Sequence, residues 1–331
     1  MLNLGPISSW ASHTGESGIG IYLLTGYGEQ VGVSGQACLK LTLEDADGRA
    51  TGFAWPEARG SVVCSATPTP VSVTGTVQQF KDHAQIKVHA LAPVDPERVP
   101  CATALLPRRL CPETALPALD RLAQLEQSLP YPLDGFLRRV LLDPALGVPF
   151  LRCRASGNHH HHFAGGLLAH STEMLDLVGE MTHRMVADDP WSPWLAQLGY
   201  LLHDLGKLRS VGERERPRFA FVVPHEFIVS EMLAPHLAWL EQRDALLAAG
   251  LRHIFFHLAQ PVRDRGIPRL AAADVVAMLD QASAGSHNHR DLTYLVRSGW
   301  RSGWRRNPSA HHPATRDQPA QSHRHGRAFR A

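Results

Sequence analysis

The run Asn158-His159-His160-His161-His162-Phe163-Ala164-Gly165-Gly166-Leu167-Leu168-Ala169-His170 opens a stretch that closes on Gly199-Tyr200-Leu201-Leu202-His203-Asp204-Leu205-Gly206-Lys207-Leu208. An apolar helical pattern that stops on an adjacent His-Asp pair is chemically costly. Polar side chains in a core need partners, and a divalent metal ion is the simplest partner for this pair. Neighbours on a helix diverge by about 100°, so His203 and Asp204 share an ion only if it sits in the angle between them. Asp204 can then bridge to a second ion. Lys207, one turn on, is in reach of a phosphate near Asp204. His170 lies on a helix opened by Gly165-Gly166, and glycines there allow close approach of the helix start to whatever it faces.

Further donors follow downstream. His225 opens a helix in Pro224-His225-Glu226-Phe227. His253 and His257 are one turn apart and share a face. Asp280 closes the apolar helix that begins at Leu270. An acid at a helix C-terminus opposes the macrodipole, and a metal partner would offset that cost. Histidine nitrogens and carboxylate oxygens converging from several helices suit transition metals. His183 and His236 are expected on the surface.

Around this centre the pattern is helical from Ala118 onward. Leu119, Leu122, Leu125 and Leu129 recur at helical spacing before Pro130 and Pro132 break the run. Helices are expected over 133–142, 165–186, 194–207, 225–240, 243–257 and 268–283. The segment 96–117 is Pro-rich without periodicity and reads as a linker.

Residues 1–95 read differently. After a polar segment over 1–16, an arm or a first edge strand, short β patterns occupy 19–25, 36–44, 49–55, 70–80 and 83–91, with Asp45-Ala46-Asp47-Gly48 as a hairpin turn. Five strands in so short a segment imply a small barrel or sandwich, of a size compatible with an OB-fold. The expected class is thus α+β and multidomain: a small β-barrel, then an all-α domain over 118–297. The tail 298–331, with its tandem Arg-Ser-Gly-Trp, is expected to be disordered.

The bulk numbers set limits. The net charge is +2, so overall charge argues neither for nor against a nucleic-acid partner. Five scattered cysteines without a C-x-x-C pair argue for a reducing compartment and against a zinc ribbon. No apolar run reaches the roughly 20 residues of a membrane span, and no signal peptide is evident. A cytoplasmic protein without a membrane partner is expected. There is no Walker A and no G-x-S-x-G motif.

His170, His203-Asp204 and Asp280 resemble the H…HD…D pattern of the HD superfamily of metal-dependent phosphohydrolases, over about residues 117–297. Two branches are similar. One is the YhaM-type 3′→5′ exoribonucleases, which join an OB-fold to an HD domain and share the HHxFxGGLxxH and LLHDLGK segments. The other is the TraI-like (MobH) HD relaxases, whose HHH…GGLL.H start and Asp-Gln-Ala-Ser ending resemble His160–His170 and Asp280–Ser283. The resemblance implies one or two divalent ions, with Mn²⁺, Mg²⁺, Fe²⁺ and Co²⁺ not distinguished. His170, His203, Asp204 and Asp280 would hold the first, and Asp204, His225 and His257 the second. The exonuclease branch carries a paired His-His-Gly where this chain reads Phe256-His257-Leu258, which leaves His253 and His257 as alternatives. His161 and His162 would line the pocket edge.

The expected function is a metal-dependent nuclease acting on single-stranded nucleic acid, a 3′→5′ exonuclease on RNA or single-stranded DNA. Asp204 and Lys207 are its catalytic candidates. Tyr22, Trp55, Phe80 and Lys81 are the barrel's candidate contacts, with Phe53, Lys40, Arg49 and Lys87 beside them. The alternatives are a relaxase or accessory protein of a conjugative element, a nucleotide phosphohydrolase, and a catalytically dead nucleic-acid-binding protein.

Overall fold

The computed structural model describes residues 2–32, 35–64, 66–157, 161–212, 222–260 and 269–285. His159 and His160 of the histidine run, the expected helix start at Pro268, and the tail from 298 lie outside the described residues.

Six strands form one sheet: β1 (Leu2–Asn3), β2 (Ser17–Val31), β3 (Ala37–Glu44), β4 (Arg49–Ala54), β5 (Thr69–Phe80) and β6 (His83–Pro93). The sheet closes in the order β2-β3-β4-β6-β5 and back to β2, with β4 and β6 parallel. This is a five-stranded Greek-key barrel of the OB type. Closure depends on β2, which is longer than the expected 19–25. Its first half pairs with β5 from Ser17 to Leu24, and its second half with β3 from Leu23 to Val31. The bulge between Leu24 and Gly26 bends the strand from one partner to the other. Of the two readings of the N-terminal segment the structure has the edge strand, β1 beside β2, and the segment is no free arm, because Leu4 and Trp10 are fully buried in the barrel core.

Tyr22, Leu23 and Leu24 are consecutive and all buried. Tyr22 and Leu24 face the barrel interior, whereas Leu23 joins the helical core. β2 is therefore covered on both faces, which erases the alternation a half-exposed strand would show.

Segment 96–117 differs from the expected linker. It runs through three short 3₁₀ turns and buries Val99, Ala102, Leu105, Leu106, Cys111 and Ala115 in the helical core. Proline removes backbone donors but leaves apolar side chains free to pack. Two buried carboxylates fasten it. Glu126 accepts from the backbone N–H groups of Ala102 and Thr103 at 2.5 and 2.9 Å. Glu44 of β3 receives a forked hydrogen bond from Arg109, with Nε at 2.9 Å and Nη2 at 2.7 Å.

The helical region contains α1 (Leu116–Ser128), α2 (Leu133–Leu141), α3 (Gly147–Arg152), α4 (Gly166–Thr172), α5 (Leu175–Met185), α6 (Ser192–Leu202), α7 (Lys207–Ser210), α8 (His225–Glu241), α9 (Ala245–Ala259) and α10 (Ala271–Gly285). α6 is central. Every residue from Leu198 to Leu202 is buried, and it packs against α4, α5, α9 and α10. A helix apolar on all sides belongs inside.

Three helix boundaries depart from the expectation in ways that matter for chemistry. The single helix over 165–186 breaks between α4 and α5. There the Thr172 hydroxyl donates back to the Leu168 carbonyl at 3.0 Å, an interaction that competes with helix propagation. α6 ends at Leu202, so His203 and Asp204 stand in the turn that follows it. α10 continues to Gly285, so Asp280 lies inside the helix and the macrodipole reasoning does not apply to it. His236 also departs from its expected surface position. It is buried on α8, with Nε2 3.0 Å from Asp143 Oδ2. Among the described residues no helix is long and apolar enough to cross a membrane.

Candidate metal centre

Four side chains from three parts of the helical region meet beside the end of α6. His170 comes from α4, His203 and Asp204 from the turn after α6, and Asp280 from α10. One ligand atom from each lies within 4.8 Å of all the others. His170 Nε2 is 3.3 Å from Asp204 Oδ2 and 3.2 Å from Asp280 Oδ1. His203 Nε2 is 3.5 Å from Asp204 Oδ2 and 3.2 Å from Asp280 Oδ1. Donors around a small divalent ion with bonds of about 2.1 Å stand about 3.0 Å apart at octahedral corners and about 3.4 Å apart at tetrahedral ones. The observed separations match that range, so this donor set fits an ion of that size.

The outer nitrogen of each histidine is already engaged. His203 Nδ1 lies 2.6 Å from the Tyr200 carbonyl oxygen, which makes it the N–H donor and leaves Nε2 with its lone pair facing the cluster. His170 Nδ1 lies 3.2 Å from Glu173 Oε1 and 3.1 Å from Ser283 Oγ. Such partners fix tautomer and ring orientation at metal-ligating histidines.

The electrostatics follow from burial and proximity. Burial works against the charged imidazole of His170, but hydrogen bonds to Asp204, Asp280 and Glu173 outweigh it and raise its pKa to about 11. For His203 burial also opposes the charge, and Asp204 and Asp280 again overcome it, so its pKa is raised. Burial raises the pKa of Asp204, yet His203, Lys207, His170 and His225 together hold the carboxyl well below the ordinary range. Asp280 is lowered too, against its own burial, by His170 and His203.

Two glycines make the geometry possible. A β-carbon on Gly206 would lie 2.0 Å from the His225 carbonyl oxygen. Gly206 thus lets the start of α8 approach the turn, and His225 Nε2 reaches Asp204 Oδ1 at 2.8 Å. A β-carbon on Gly166 would lie 2.0 Å from the His161 carbonyl oxygen, and Gly165 has a left-handed φ of 78°. The Gly-Gly pair thereby holds His161 against the start of α4.

The remaining sequence candidates divide. Lys207 Nζ hydrogen-bonds Asp204 Oδ2. His161 places Nε2 3.1 Å from Glu173 Oε2, while His162 is exposed. His257 stands outside the four-residue cluster, with Nε2 3.6 Å from Asp274 Oδ1. His253 Nε2 accepts from the Leu270 backbone N–H at 3.3 Å. Neither alternative on α9 therefore joins Asp204 and His225 in a second cluster among the described residues. Glu173, Ser283 and the Tyr200 carbonyl were not sequence candidates. Glu173 carried a signal in its position one turn after His170, and Ser283 in its place at the end of the Asp280–Ser283 segment.

In the barrel, Tyr22 is corrected from a contact residue to a core residue. It is 1% exposed, its ring packs edge-on against Trp10, and its hydroxyl donates to the Gly5 carbonyl at 2.9 Å. Phe80 is 56% exposed at the tip of the β5–β6 hairpin, with Lys81 Nζ 5.7 Å from its ring centre. Trp55 is half-buried beside Gly32. Lys40, Phe53 and Lys87 occupy one row across β3, β4 and β6.

No protein-family model matches the chain. It is 24% identical over 181 residues to the 3′-5′ exoribonuclease YhaM of Oceanobacillus iheyensis, a match covering 54% of each protein. The chain spans about half the length of this curated relative. Among solved structures, the second OB-fold domain of replication protein A from Methanococcus maripaludis covers 25% of this chain and 87% of its own, at 20% identity and a TM-score of 0.21. A replication protein A heterotrimer bound to single-stranded DNA covers 23% of this chain and 57% of its own, at 18% identity and a TM-score of 0.19. The OB-like description of the barrel rests on its strand order.

Proposed function

We propose that the chain is a metal-dependent phosphodiester hydrolase of the HD type that shortens single-stranded nucleic acid from its 3′ end. One observation carries the reading. Two buried imidazoles and two carboxylates converge at ligand spacing, and the outer nitrogen of each imidazole is held by a fixed acceptor. The similarity to a 3′-5′ exoribonuclease supports nucleic acid as the substrate.

His170, His203, Asp204 and Asp280 would hold the ion. When bound, a divalent metal supplies charge stabilisation for a phosphoryl group and acidifies water at neutral pH. The protein's own groups do the rest. Lys207, half-buried beside Asp204, offers an ammonium to the charge that grows on the phosphoryl oxygens. His225, on the other oxygen of Asp204, keeps that carboxylate oriented and is the candidate for a second ion's ligand. The barrel supplies the strand grip. Its row of Lys40, Phe53 and Lys87 and the exposed Phe80 with Lys81 offer stacking and phosphate contacts.

The test is incubation with Mn²⁺ and 5′-end-labelled single-stranded RNA or DNA. We expect a ladder that shortens from the 3′ end and disappears with chelator. A single nick in supercoiled plasmid without a ladder would move the assignment to the relaxase branch. Phosphate release from mononucleotides alone would overturn the nuclease reading.

A further inference from the structure

Glu173 is the hub of a network that reaches from the proposed metal site to its edge. It stands at the break between α4 and α5. One carboxylate oxygen, Oε1, lies 3.2 Å from His170 Nδ1 and accepts from the Ser283 hydroxyl of α10. The other, Oε2, lies 3.1 Å from His161 Nε2. Burial raises the pKa of this carboxyl, but His161, His170 and Ser283 outweigh it and hold it well below the ordinary carboxylate range.

We infer that Glu173 is a positioning residue: it fixes His170 as a metal ligand and ties that ligand to His161 at the edge of the site. Three observations combine. First, the helix breaks where Glu173 must turn inward, so its place is built into the backbone. Second, His161 has a left-handed φ of 54°, uncommon for a residue with a side chain, and its carbonyl is seated against Gly166. Conformations of this kind persist where the surroundings enforce them. Third, the rings of His161 and His170 lie 5.6 Å apart, with the exposed Phe163 ring 5.8 Å beyond His161. A displacement of the His161–Phe163 segment would therefore reach His170 through one carboxylate.

His161, His170 and Glu173 also come close enough to form a metal group of their own. Positioning is the better assignment. His170 Nε2 faces Asp204 and Asp280, and once it ligates there, Nδ1 carries the proton. An N–H donor binds a carboxylate, not a cation.

The inference rests on the metal site proposed above, and the experiment separates the two. Mn²⁺ binding to metal-free protein is measured by calorimetry for the wild type, Glu173→Gln, Glu173→Asp and His161→Ala, with thermal unfolding of each metal-free protein alongside. For Glu173→Gln we expect binding weaker by about 10- to 100-fold, with partial recovery in Glu173→Asp. His161→Ala is expected to weaken binding by less than Glu173→Gln. Wild-type protein that takes up no Mn²⁺ would remove the metal site itself. Wild-type affinity retained in Glu173→Gln, with or without a lowered unfolding temperature, would overturn the positioning role and leave the metal site standing.

Discussion

The carboxylates buried in the barrel and those gathered at the end of α6 are held in opposite ways. In the barrel Asp45 is buried, but its oxygens accept from the backbone N–H groups of Ile7, Asp47 and Gly48. Glu44 is buried under the fork of Arg109. These partners are fixed and cannot exchange for an ion. In the helical region Asp204 and Asp280 meet imidazole nitrogens and an ammonium, which can release a proton or move aside. A buried acid held by backbone amides is a fastening. A buried acid facing histidines whose outer nitrogens are already held is poised for a cation. Charge adds to the contrast, since residues 1–95 carry five Lys and Arg against eight Asp and Glu. The grip on a strand proposed for the barrel would therefore depend more on stacking than on charge.

The largest effect should come from Asp204→Asn. Removing one of two anionic ligands is expected to weaken Mn²⁺ binding beyond the roughly 100-fold seen for outer partners and to abolish hydrolysis, both measurable on the same preparation. Retained hydrolysis would break the contrast outright.

Protons sharpen the same point. His170 has a pKa of about 11 in the metal-free protein, so it carries a proton throughout the neutral range and must lose it when an ion binds. Affinity should rise with pH, by about tenfold per unit for each proton released. Calorimetry in buffers of different ionisation enthalpy reads this directly. The metal-free protein should show the linked effect in stability. The folded value lies above the ordinary 6.5, so the contribution of His170 is whole below pH 6.5 and is lost as pH rises toward 11. Denaturation midpoints that rise across this range would contradict the assignment.

Asp45→Ala tests the other side. It leaves the buried Ile7 amide and the part-buried amides of Asp47 and Gly48 without their acceptor and should cost about 1–3 kcal/mol in chemical denaturation, with Mn²⁺ affinity unchanged. Phe80→Ala should raise the KM for long strands, by up to the roughly 1–3 kcal/mol of one stacked base, and leave hydrolysis of a small diester alone. The smallest effect is expected from Tyr22→Phe, a stability loss of about 0.5–1.5 kcal/mol without any change in strand binding.

The sequence carried much of this, unevenly. The alternation in Pro70–Phe80 and the turn at Asp45–Gly48 were enough to place strands. The His-Asp pair at the end of a mainly apolar helix was legible because so little else explains it. Tyr22 was misread because β2 is buried on both faces, and alternation has no phase there. Segment 96–117 was misread because proline hides periodicity without preventing burial. Glu173 was missed because its role depends on a helix break that hydrophobic spacing does not encode. His257 sits on the expected face of α9, yet which helix that face meets is set by tertiary packing.

The central claim is that His170, His203, Asp204 and Asp280 hold a divalent ion. The most direct test is a crystal of the protein grown with Mn²⁺ and an anomalous difference map at the manganese edge. We expect the strongest peak within about 2.0–2.3 Å of His170 Nε2, His203 Nε2 and one oxygen each of Asp204 and Asp280. A map with no peak there, or with its strongest peak beside His257 and Asp274, would contradict it.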